Sequence, residues 1–284
     1  MKIVIASGKG GVGKSMVVSS LLILFSKKYK VLGCDCDVDA PKLDIWLGVK
    51  KHNIIKKVST SEKAKIFNQE GLDDKVIKIC PFGAIEKKKG KYVVNQMLCE
   101  GCRACSFLYP KNIRMVKVNN GEIRISKTKW GFDVISGQLY PGESSSGKIV
   151  YLLKEEAEKI DYEYMFLDSA AGTGCTVNAS IKDSDYALLV TEPTPAAISD
   201  LKRVLFVVKH FGIPFSVVIN KWNLNEKNTK KIEKMFEGRI IGKISYDESV
   251  IKSLVNMTPV VFSKSKASKE LNTLYKNLID VVGR

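Results

Sequence analysis

The stretch "SGKGGVGKS", residues 7–15, decides the fold of the N-terminal part of the chain. The apolar run "KIVIA" comes before it and predicts a buried strand, and "MVVSSLLILFSKKY" comes after it and predicts a helix with an apolar face. Gly8 to Ser15 match the pattern G-x-x-x-x-G-K-[ST] between a strand and a helix, which is the context that this phosphate-binding loop (P-loop) requires. The sequence therefore predicts a nucleotide site at the start of the chain.

The residue types in this loop have distinct physical roles. Glycines let backbone N–H groups converge on phosphate oxygens at the N-terminus of the helix. We expect Lys14 to reach the β- and γ-phosphates of ATP and the Ser15 hydroxyl to bind Mg²⁺. The predicted nucleotide-binding residues of the loop are Gly8, Lys9, Gly10, Gly11, Val12, Gly13, Lys14 and Ser15.

Acidic residues follow the second and third predicted strands. The run "KVLGCDCDVDA" contains Asp35, Asp37 and Asp39, and the run "YMFLD" ends in Asp168. Because the carboxyl ends of parallel strands meet at one edge of a sheet, we expect these carboxylates to lie beside the P-loop. Carboxylates there are suited to hold Mg²⁺ and to orient an attacking water.

The later apolar runs continue the same architecture. "DYALLV", "FSVVIN" and "RIIGKI" predict strands that alternate with helical segments, which is the pattern of a doubly wound α/β fold with a mostly parallel sheet. A lysine-rich segment with short predicted strands and clustered cysteines interrupts this pattern. We therefore expect a discontinuous P-loop ATPase domain at residues 1–56 and 126–284, and an inserted small α+β domain at residues 57–125.

The inserted segment carries the cysteine motif "CEGCRACSFLYP", residues 99–110. Its cysteines have the spacing of the bacterial ferredoxin run C-x2-C-x2-C-x3-C-P, but Tyr109 stands in place of the fourth cysteine. Moved back by 29 residues, the motif lies over "EGLDDKVIKICP", residues 70–81. That second stretch keeps the C-P pair as Cys80-Pro81 and lacks the other three cysteines.

The losses in the two half-motifs are complementary. In two-cluster ferredoxins each C-x2-C-x2-C run takes its fourth ligand from the C-P pair of the other repeat. The sequence thus predicts a ferredoxin-like domain with one [4Fe–4S] cluster, whose ligands are Cys80, Cys99, Cys102 and Cys105. The positions of a second cluster hold other residues, with Tyr109 filling the space: Glu70, Asp73, Val76 and Tyr109. A four-cysteine zinc site, which usually has longer spacing, and a set of reduced thiols remain as alternatives.

Lys9 gives the loop "KGGVGKS", which resembles the deviant P-loop of the MinD/ParA superfamily, relatives of the nitrogenase iron protein and of Mrp-type cluster carriers. The resemblance implies a nucleotide-dependent dimer in which Lys9 crosses the interface and acts on the partner's phosphates. It also implies that Asp35 positions the attacking water and that Asp37 or Asp39 helps to hold the metal shell.

The same resemblance covers two later residues. Asp168 looks like the carboxylate of the Walker B motif, which belongs to the magnesium site. Asn220, in "INKW", is similar to the Asn of an N-K dipeptide whose amide reads the adenine edge. Relatives usually read D-x-P-P-G after the third strand, where this chain has Ala170 and Ala171. Hydrolysis of ATP is therefore expected to be slow and stimulated by a partner.

With both motif sets, the chain resembles MinD-superfamily ATPases that carry an inserted ferredoxin domain. The resemblance implies a switch that binds ATP and Mg²⁺, dimerises with itself or with a sister chain, and couples its nucleotide state to electron transfer between one [4Fe–4S] cluster and a redox partner. Two alternatives stay open. One is an iron–sulfur carrier that donates its cluster to an apo-protein, and the other is a positioning ATPase in which the cluster is structural.

Charge and hydropathy argue against other classes. The formal net charge is +16, but only six of the 46 basic residues are arginine and the lysines are dispersed. Since base-edge and bidentate phosphate recognition favours arginine, a nucleic-acid partner is not expected. The early apolar run is broken by serines and is too short to span a bilayer, and the first residues already predict a strand. We therefore expect a cytoplasmic protein with reduced thiols and no membrane partner.

Four further patterns have structural interpretations. Cys175 lies where the nitrogenase iron protein has a cluster ligand, but a dimer would supply only two such thiols, so a structural or redox role is favoured. Cys34 and Cys36 are expected to be buried packing residues. The stretch "RMVKVNNGEIRIS" predicts a hairpin that turns at Asn119-Asn120-Gly121. A C-terminal stripe at helical spacing favours a last helix on the sheet over a membrane-binding helix: Leu271, Leu274, Leu278 and Val282.

Overall fold

A computed structural model of the chain describes residues 1–283. In chain order the strands are β1 (Lys2–Ser7), β2 (Val31–Asp35), β3 (Asn53–Val58), β4 (Ser61–Ile66), β5 (Ile85–Lys88), β6 (Lys91–Val94), β7 (Ile113–Val118), β8 (Gly121–Lys127), β9 (Asp133–Leu139), β10 (Tyr164–Ala171), β11 (Tyr186–Thr191), β12 (Phe215–Asn220) and β13 (Ile240–Ile244). The helices are α1 (Lys14–Phe25), α2 (Leu43–Trp46), α3 (Lys75–Ile79), α4 (Ala104–Leu108), α5 (Ser146–Ala157), α6 (Cys175–Ile181), α7 (Pro195–His210), α8 (Glu226–Met235), α9 (Glu248–Val255) and α10 (Lys266–Val282).

The main sheet has the strand order β13-β12-β11-β1-β10-β2-β9-β8-β3. All neighbouring pairs from β13 to β9 are parallel, which confirms the predicted α/β fold with a large, mostly parallel sheet. Its inner strands are short apolar runs because helices cover both faces of such a sheet and leave no side exposed to water. Ile5 of β1 lies level with Asp168 of β10, and Asp168 lies level with Asp35 of β2. The predicted carboxylates therefore lie level with each other on adjacent strands.

The chain divides into two compact units. The first unit comprises Met1–Ile55, Ile123–Gln138 and Ser146–Arg284, and the second comprises Lys56–Glu122 and Leu139–Ser145. The insertion predicted from the sequence, residues 57–125, does not include the second short piece. Nothing in the pattern of residues 139–145 marks them as part of the inserted unit.

The core of the first unit forms between α1, the sheet and α10. Eleven of the twelve residues of α1 are buried, including Phe25, whose ring contacts Phe166 and Tyr275 edge to face. Leu271, Leu274 and Leu278 of α10 are fully buried in the same core. This packing confirms that the C-terminal stripe belongs to a helix of the fold.

The second unit has two small antiparallel sheets, formed by β4 with β7 and by β5 with β6. The hairpin predicted for "RMVKVNNGEIRIS" was wrong, since β7 pairs with β4 while β8 belongs to the main sheet. The buried Asn120 explains the difference. Its backbone N–H donates to Val58 O at 3.0 Å, and its side chain bonds to Thr60 and to Ser144 O, so these bonds direct the turn away from hairpin pairing.

Candidate functional site

The P-loop between β1 and α1 has two positions at which only glycine fits, one because of its backbone conformation and one because of a close approach. Gly13 has φ +98°, and a Cβ there would lie 2.3 Å from Asn220 Nδ2. A Cβ on Gly8 would lie 2.0 Å from the backbone oxygen of Asp200. The loop is therefore held close to β12 and α7, and the glycines of the motif are needed for that close packing.

Asn220 and Lys221 fix the loop from the end of β12. Asn220 Nδ2 donates to Val12 O at 2.8 Å, and its Oδ1 accepts from the Lys221 backbone N–H at 3.0 Å. Lys221 Nζ donates to Gly11 O at 3.2 Å. Asn220, the predicted adenine reader, thus lies beside the P-loop and tethers it.

Lys9 is held by a buried glutamate in this structure. Lys9 Nζ lies 2.9 Å from Glu192 Oε1, and Lys221 Nζ lies 2.9 Å from Glu192 Oε2. Burial alone would raise the pKa of Glu192, but the hydrogen bonds and charges of Lys221 and Lys9 outweigh it and hold the pKa below its usual value. Two cations beside the loop therefore share one ionised carboxylate.

Sequence reasoning missed Glu192. It directly follows β11, the strand next to β1, so it stands at the same carboxyl edge of the sheet as the predicted aspartates. The rule that placed Asp35 and Asp168 at that edge could have placed Glu192 there too. Its pairing with Lys9 has no sequence signal, because the two residues are 183 positions apart.

Asp168 is the central carboxylate of the site. It is buried, and its Oδ1 has no hydrogen-bond partner within residues 1–283. Burial raises the pKa of Asp168 to about 6, although the Lys14 charge and a hydrogen bond with Ser15 oppose the shift. A buried, unpartnered carboxylate oxygen beside the Ser15 hydroxyl suits a hard cation such as Mg²⁺.

The three acids after β2 have different surroundings. Asp35 is buried, and it accepts backbone N–H bonds from Lys42 at 2.8 Å, Leu43 at 2.9 Å and Asp37 at 3.1 Å. Burial, and then the charge of Asp168, raises the pKa of Asp35 well above its usual value. Through its three backbone bonds, Asp35 therefore holds the loop that follows β2 in place.

Asp37 is the better placed of the two remaining candidates for the metal shell. It is half-buried; burial raises the pKa of its carboxyl, and the nearby charges of Lys14 and Lys42 act against that rise. Asp39 is exposed. The site thus brings together Lys14, Ser15, Asp37 and Asp168, a cationic loop facing a carboxylate edge, which is the arrangement that binds a phosphate chain with its metal ion.

In the second unit the four predicted cluster cysteines line one cavity. Cys80 follows α3, Cys99 and Cys102 lie in the loop before α4, and Cys105 lies in α4. The remaining lining is mostly apolar and includes Ala64, Phe82, Ile85, Val94 and Met115. As the side chains stand, the free space is about 20 Å³, which is close to the room that one water needs.

Backbone N–H groups point at two of these sulfurs. Ala64 N donates to Cys99 Sγ and Ala84 N donates to Cys80 Sγ, both at 3.3 Å. Burial, and then the nearby Cys99, raises the pKa of Cys105. Within residues 1–283 no three His, Cys, Asp or Glu side chains are arranged around a point that one metal ion could occupy.

The donor type is nevertheless that of an iron–sulfur cluster, whose ligands are cysteine thiolates. Each cysteine of a cubane cluster binds a different iron, so its sulfurs lie further apart than four ligands of one zinc ion. Cys102 is exposed, so its sulfur lies at the open side of the cavity. Four sulfurs in an apolar cavity, two of them with N–H donors, are a chemically suitable donor set.

The positions assigned to the lost second cluster hold side chains that either pack in the core or face water. Val76 is fully buried in the small core of the second unit, and Tyr109 packs against that core. The Tyr109 hydroxyl donates to Asp73 Oδ1 at 3.3 Å, while Glu70 is exposed. The side chains at these positions thus form part of the core or face water.

The other cysteines lie in the first unit. Cys34 and Cys36 are fully buried, with their sulfurs 3.8 Å apart, as expected for packing residues at the end of β2. Cys175 is exposed at the start of α6. None of the helices described in residues 1–283 has both the length and the apolar character that crossing a bilayer requires.

Comparison with known proteins agrees with the nucleotide site. The sequence profile of the CobQ/CobB/MinD/ParA nucleotide binding domain matches residues 3–260. An uncharacterized protein of Methanocaldococcus jannaschii is 35% identical over 283 residues, which are 99% of this chain and 98% of the relative. The iron-sulfur cluster carrier protein of the same organism is 26% identical over 304 residues, covering 99% of this chain and 84% of the relative.

The fold is also that of a solved structure. The septum site-determining protein MinD of Pyrococcus horikoshii, complexed with Mg-ADP, superposes with a TM-score of 0.63 at 17% identity. The match covers 99% of this chain and 97% of that protein. At this identity the likeness concerns the fold alone.

Proposed function

Because the chain belongs to the CobQ/CobB/MinD/ParA family of nucleotide-binding ATPases, we propose that it is a dimeric ATP-dependent switch that carries one [4Fe–4S] cluster. The ATPase domain is the part that membership of this family establishes. The cluster, the dimer and the coupling of nucleotide state to electron transfer are the parts we propose. The observation that carries the proposal is the convergence of Cys80, Cys99, Cys102 and Cys105 on one cavity of a chain that also has a complete P-loop.

In the nucleotide site, we assign binding of the phosphate chain to the loop Gly8–Ser15 and to Lys14. Ser15 and Asp168 would hold Mg²⁺, with Asp37 close enough to Lys14 to belong to the same charge network. When bound, Mg²⁺ neutralises phosphate charge during transfer. Asp35 keeps the loop after β2 in place through its three backbone bonds, and that loop carries Asp37.

Lys9 is the residue that we assign to the partner's phosphates in a dimer. It leaves Glu192 at little cost, because Lys221 stays beside the same carboxylate and keeps it paired. A buried carboxylate that lost its last cation would instead carry the full penalty of an unpaired charge. The shared pairing therefore leaves Lys9 free to move.

In the second unit, the four cysteines of the cavity would hold the cluster, and Ala64 and Ala84 would donate N–H bonds to two of the sulfurs. When bound, such a cluster supplies one-electron redox chemistry. The apolar side chains that line most of the cavity and the hydrogen bonds to two sulfurs would adjust its potential. A redox protein is therefore the partner that we propose.

Electron paramagnetic resonance of the reduced, anaerobically purified protein tests the coupling. We expect the signal of one cluster per chain, and we expect ATP with Mg²⁺ to change its line shape and its rate of reduction. A Lys14→Met variant is the control, since it keeps the cysteines and should lose the response to ATP. If the wild-type protein binds ATP while the signal and the reduction rate stay the same, the proposed coupling is wrong.

A further inference from the structure

Residues Leu139–Ser145, which we call the strap, comprise the last residue of β9 and the connection from β9 to α5. β9 runs parallel to β2, with Ser136 level with Asp35, so the strap starts at the edge of the sheet where the nucleotide site lies. The strap itself belongs to the second unit, which carries the cysteine cavity. A short stretch of chain thus leaves the nucleotide edge, joins the other unit and returns to the first.

A buried ion pair anchors the strap in the second unit. Lys63 Nζ lies 2.8 Å from Glu143 Oε1 and donates to Gln96 O at 2.5 Å. The side chain of Lys63 is 3% exposed and that of Glu143 is 19% exposed. Glu143 Oε2 is buried and has no partner within residues 1–283, so Lys63 is the cation that compensates this carboxylate.

Three more bonds hold the strap to the same unit. The Tyr140 backbone N–H donates to Asn120 O at 2.9 Å, and the Tyr140 hydroxyl donates to Glu122 Oε2 at 2.8 Å. Asn120 Nδ2 donates to Ser144 O at 2.8 Å. With bonds along its length, the strap cannot shift without moving the residues to which it is bonded.

The ion pair lies next to a hydrogen bond of the cysteine cavity. Lys63 and Ala64 are neighbours in β4, and Ala64 N donates to Cys99 Sγ. Gln96, which accepts from Lys63, also donates from Nε2 to Ala64 O at 3.0 Å. A displacement of Lys63 would therefore change the distance from Ala64 N to the Cys99 sulfur.

The other end of the strap leads to the loop that follows Asp168. Ser145 has φ +75°, an uncommon backbone conformation for a residue with a side chain, directly before α5 begins. In α5, a Cβ on Gly147 would lie 2.9 Å from Cys175 Cβ, so α5 packs closely on the start of α6. α6 begins just after the glycine-containing loop that follows β10 and Asp168.

We propose that the Lys63–Glu143 ion pair is the positioning contact through which the strap transmits the nucleotide state to the cysteine cavity. The inference rests on the proposed switch function and names the residues that regulate it. A change at the loop after Asp168 shifts α6, α5 and the strap, and the buried ion pair moves β4 with it because separating the two charges would leave both uncompensated.

Peptide-resolved hydrogen–deuterium exchange of the full-length, anaerobically purified protein tests the inference. In the wild type we expect ATP with Mg²⁺ to change the exchange rate of residues 61–66 on the order of fivefold. In Glu143→Gln the change falls to about twofold or less, while protection of the P-loop by ATP stays as in the wild type. Glu86→Gln, which removes an exposed pair with Lys88 in the same unit, should keep the full response.

A charge-reversed double variant, Lys63→Glu with Glu143→Lys, guards against a simple folding defect and should restore part of the response, because it keeps the ion pair and loses the bond to Gln96 O. The inference is overturned if Glu143→Gln keeps the wild-type response, or if the wild-type protein binds ATP and residues 61–66 do not respond. Iron and sulfide content is measured on the same samples. Suppose that the purified protein contains no cluster, responds to ATP in residues 61–66, and loses that response in Glu143→Gln. This result would refute the proposed function and leave the inference standing.

Discussion

The two units of the molecule organise their sites by different means. In the first, the P-loop is tethered by Asn220 and Lys221, and the loop after β2 is held by Asp35, so the nucleotide site is formed by protein contacts alone. In the second, the hydrophobic core has six buried residues, which are Ala64, Val76, Ile85, Tyr92, Cys105 and Ile113. Large apolar side chains next to its cysteines are exposed, with Phe107 at 83%.

This difference indicates what each site needs. A small unit with few buried apolar side chains usually depends on a metal, a disulfide or a partner for its stability. Its cysteines are free thiols, so a bound cluster is the cross-link that this unit has the ligands to form. On the proposed function, the first unit needs its ligands for activity, whereas the second would need its cluster for structure as well.

The largest expected effect is a loss of structure confined to one unit. Oxidative removal of the cluster with a chelator should abolish the exchange protection of residues 61–118, because the four cysteines would no longer be joined. Residues 2–25 of the first unit should keep their protection. Hydrogen exchange with peptide resolution measures both, and equal protection of residues 61–118 before and after chelation would contradict the contrast between the units.

A substitution in the P-loop should act on activity alone. We expect Lys9→Ala to lower ATP hydrolysis by about 10³-fold, as for a cation supplied in trans, while ATP still binds. Lys27→Ala makes the same charge change at a lysine outside the site and should hydrolyse ATP normally. Steady-state hydrolysis and fluorescent nucleotide binding separate the two effects. An unchanged hydrolysis rate in Lys9→Ala would remove this residue from the mechanism.

The raised pKa of Asp168 predicts a pH dependence of metal binding. Its carboxyl titrates at about 6, against an ordinary value near 3.8, so it is protonated below pH 6 and cannot hold Mg²⁺ there. Affinity for Mg²⁺ with ATP should therefore fall by up to about tenfold per unit as the pH drops from 6 to 5. Above pH 7 it should be constant. Calorimetry in two buffers should detect proton release on binding near pH 6.

The raised pKa of Asp168 also affects stability. Affinity for Mg²⁺ rises with pH, whereas the contribution of this carboxyl to stability falls with pH. Because the folded pKa is higher than the unfolded one, the folded state binds the extra proton between pH 4 and pH 6. Without ligand, this carboxyl makes the protein less stable as the pH rises through that range. In Asp168→Asn that contribution should be absent, and an identical pH profile in both proteins would show that the group titrates elsewhere.

The smallest expected effect concerns Glu192. Its pKa is lowered by Lys221 and Lys9, so its contribution to stability is present above about pH 4.5 and is lost as the pH falls through the lowered value. Glu192→Gln should cost about 1 to 2 kcal/mol at pH 7 in chemical denaturation, and this cost should shrink as the pH falls below 4.5. Glu158→Gln, at an exposed pair with Lys2, is the control and should cost less at pH 7.

The sequence predicted the parts of the molecule that depend on local pattern. The strand, glycine loop and helix at residues 2–25 follow from hydrophobic periodicity and from the P-loop spacing, and the mostly parallel sheet follows from the later apolar runs. The buried C-terminal stripe was predicted for the same reason. These features are set by residues that are close together in the sequence.

Features that depend on contacts between distant residues were not predictable. The pairing of Lys9 with Glu192 and that of Lys63 with Glu143 join residues with no shared motif. The predicted hairpin failed because Asn120 forms bonds with Val58, Thr60 and Ser144, which no turn rule takes into account. The assignment of residues 139–145 to the second unit has the same origin, since bonds to residues far back in the chain define it.

The measurement that tests the central claim most directly is the native mass of the full-length chain, purified without oxygen. We expect the native mass to exceed that of the polypeptide by one four-iron, four-sulfide group per chain. This added mass should be present in Cys175→Ser and absent in Cys102→Ser. A zinc ion bound to the wild type, two such groups in one chain, or a group lost in Cys175→Ser would contradict it.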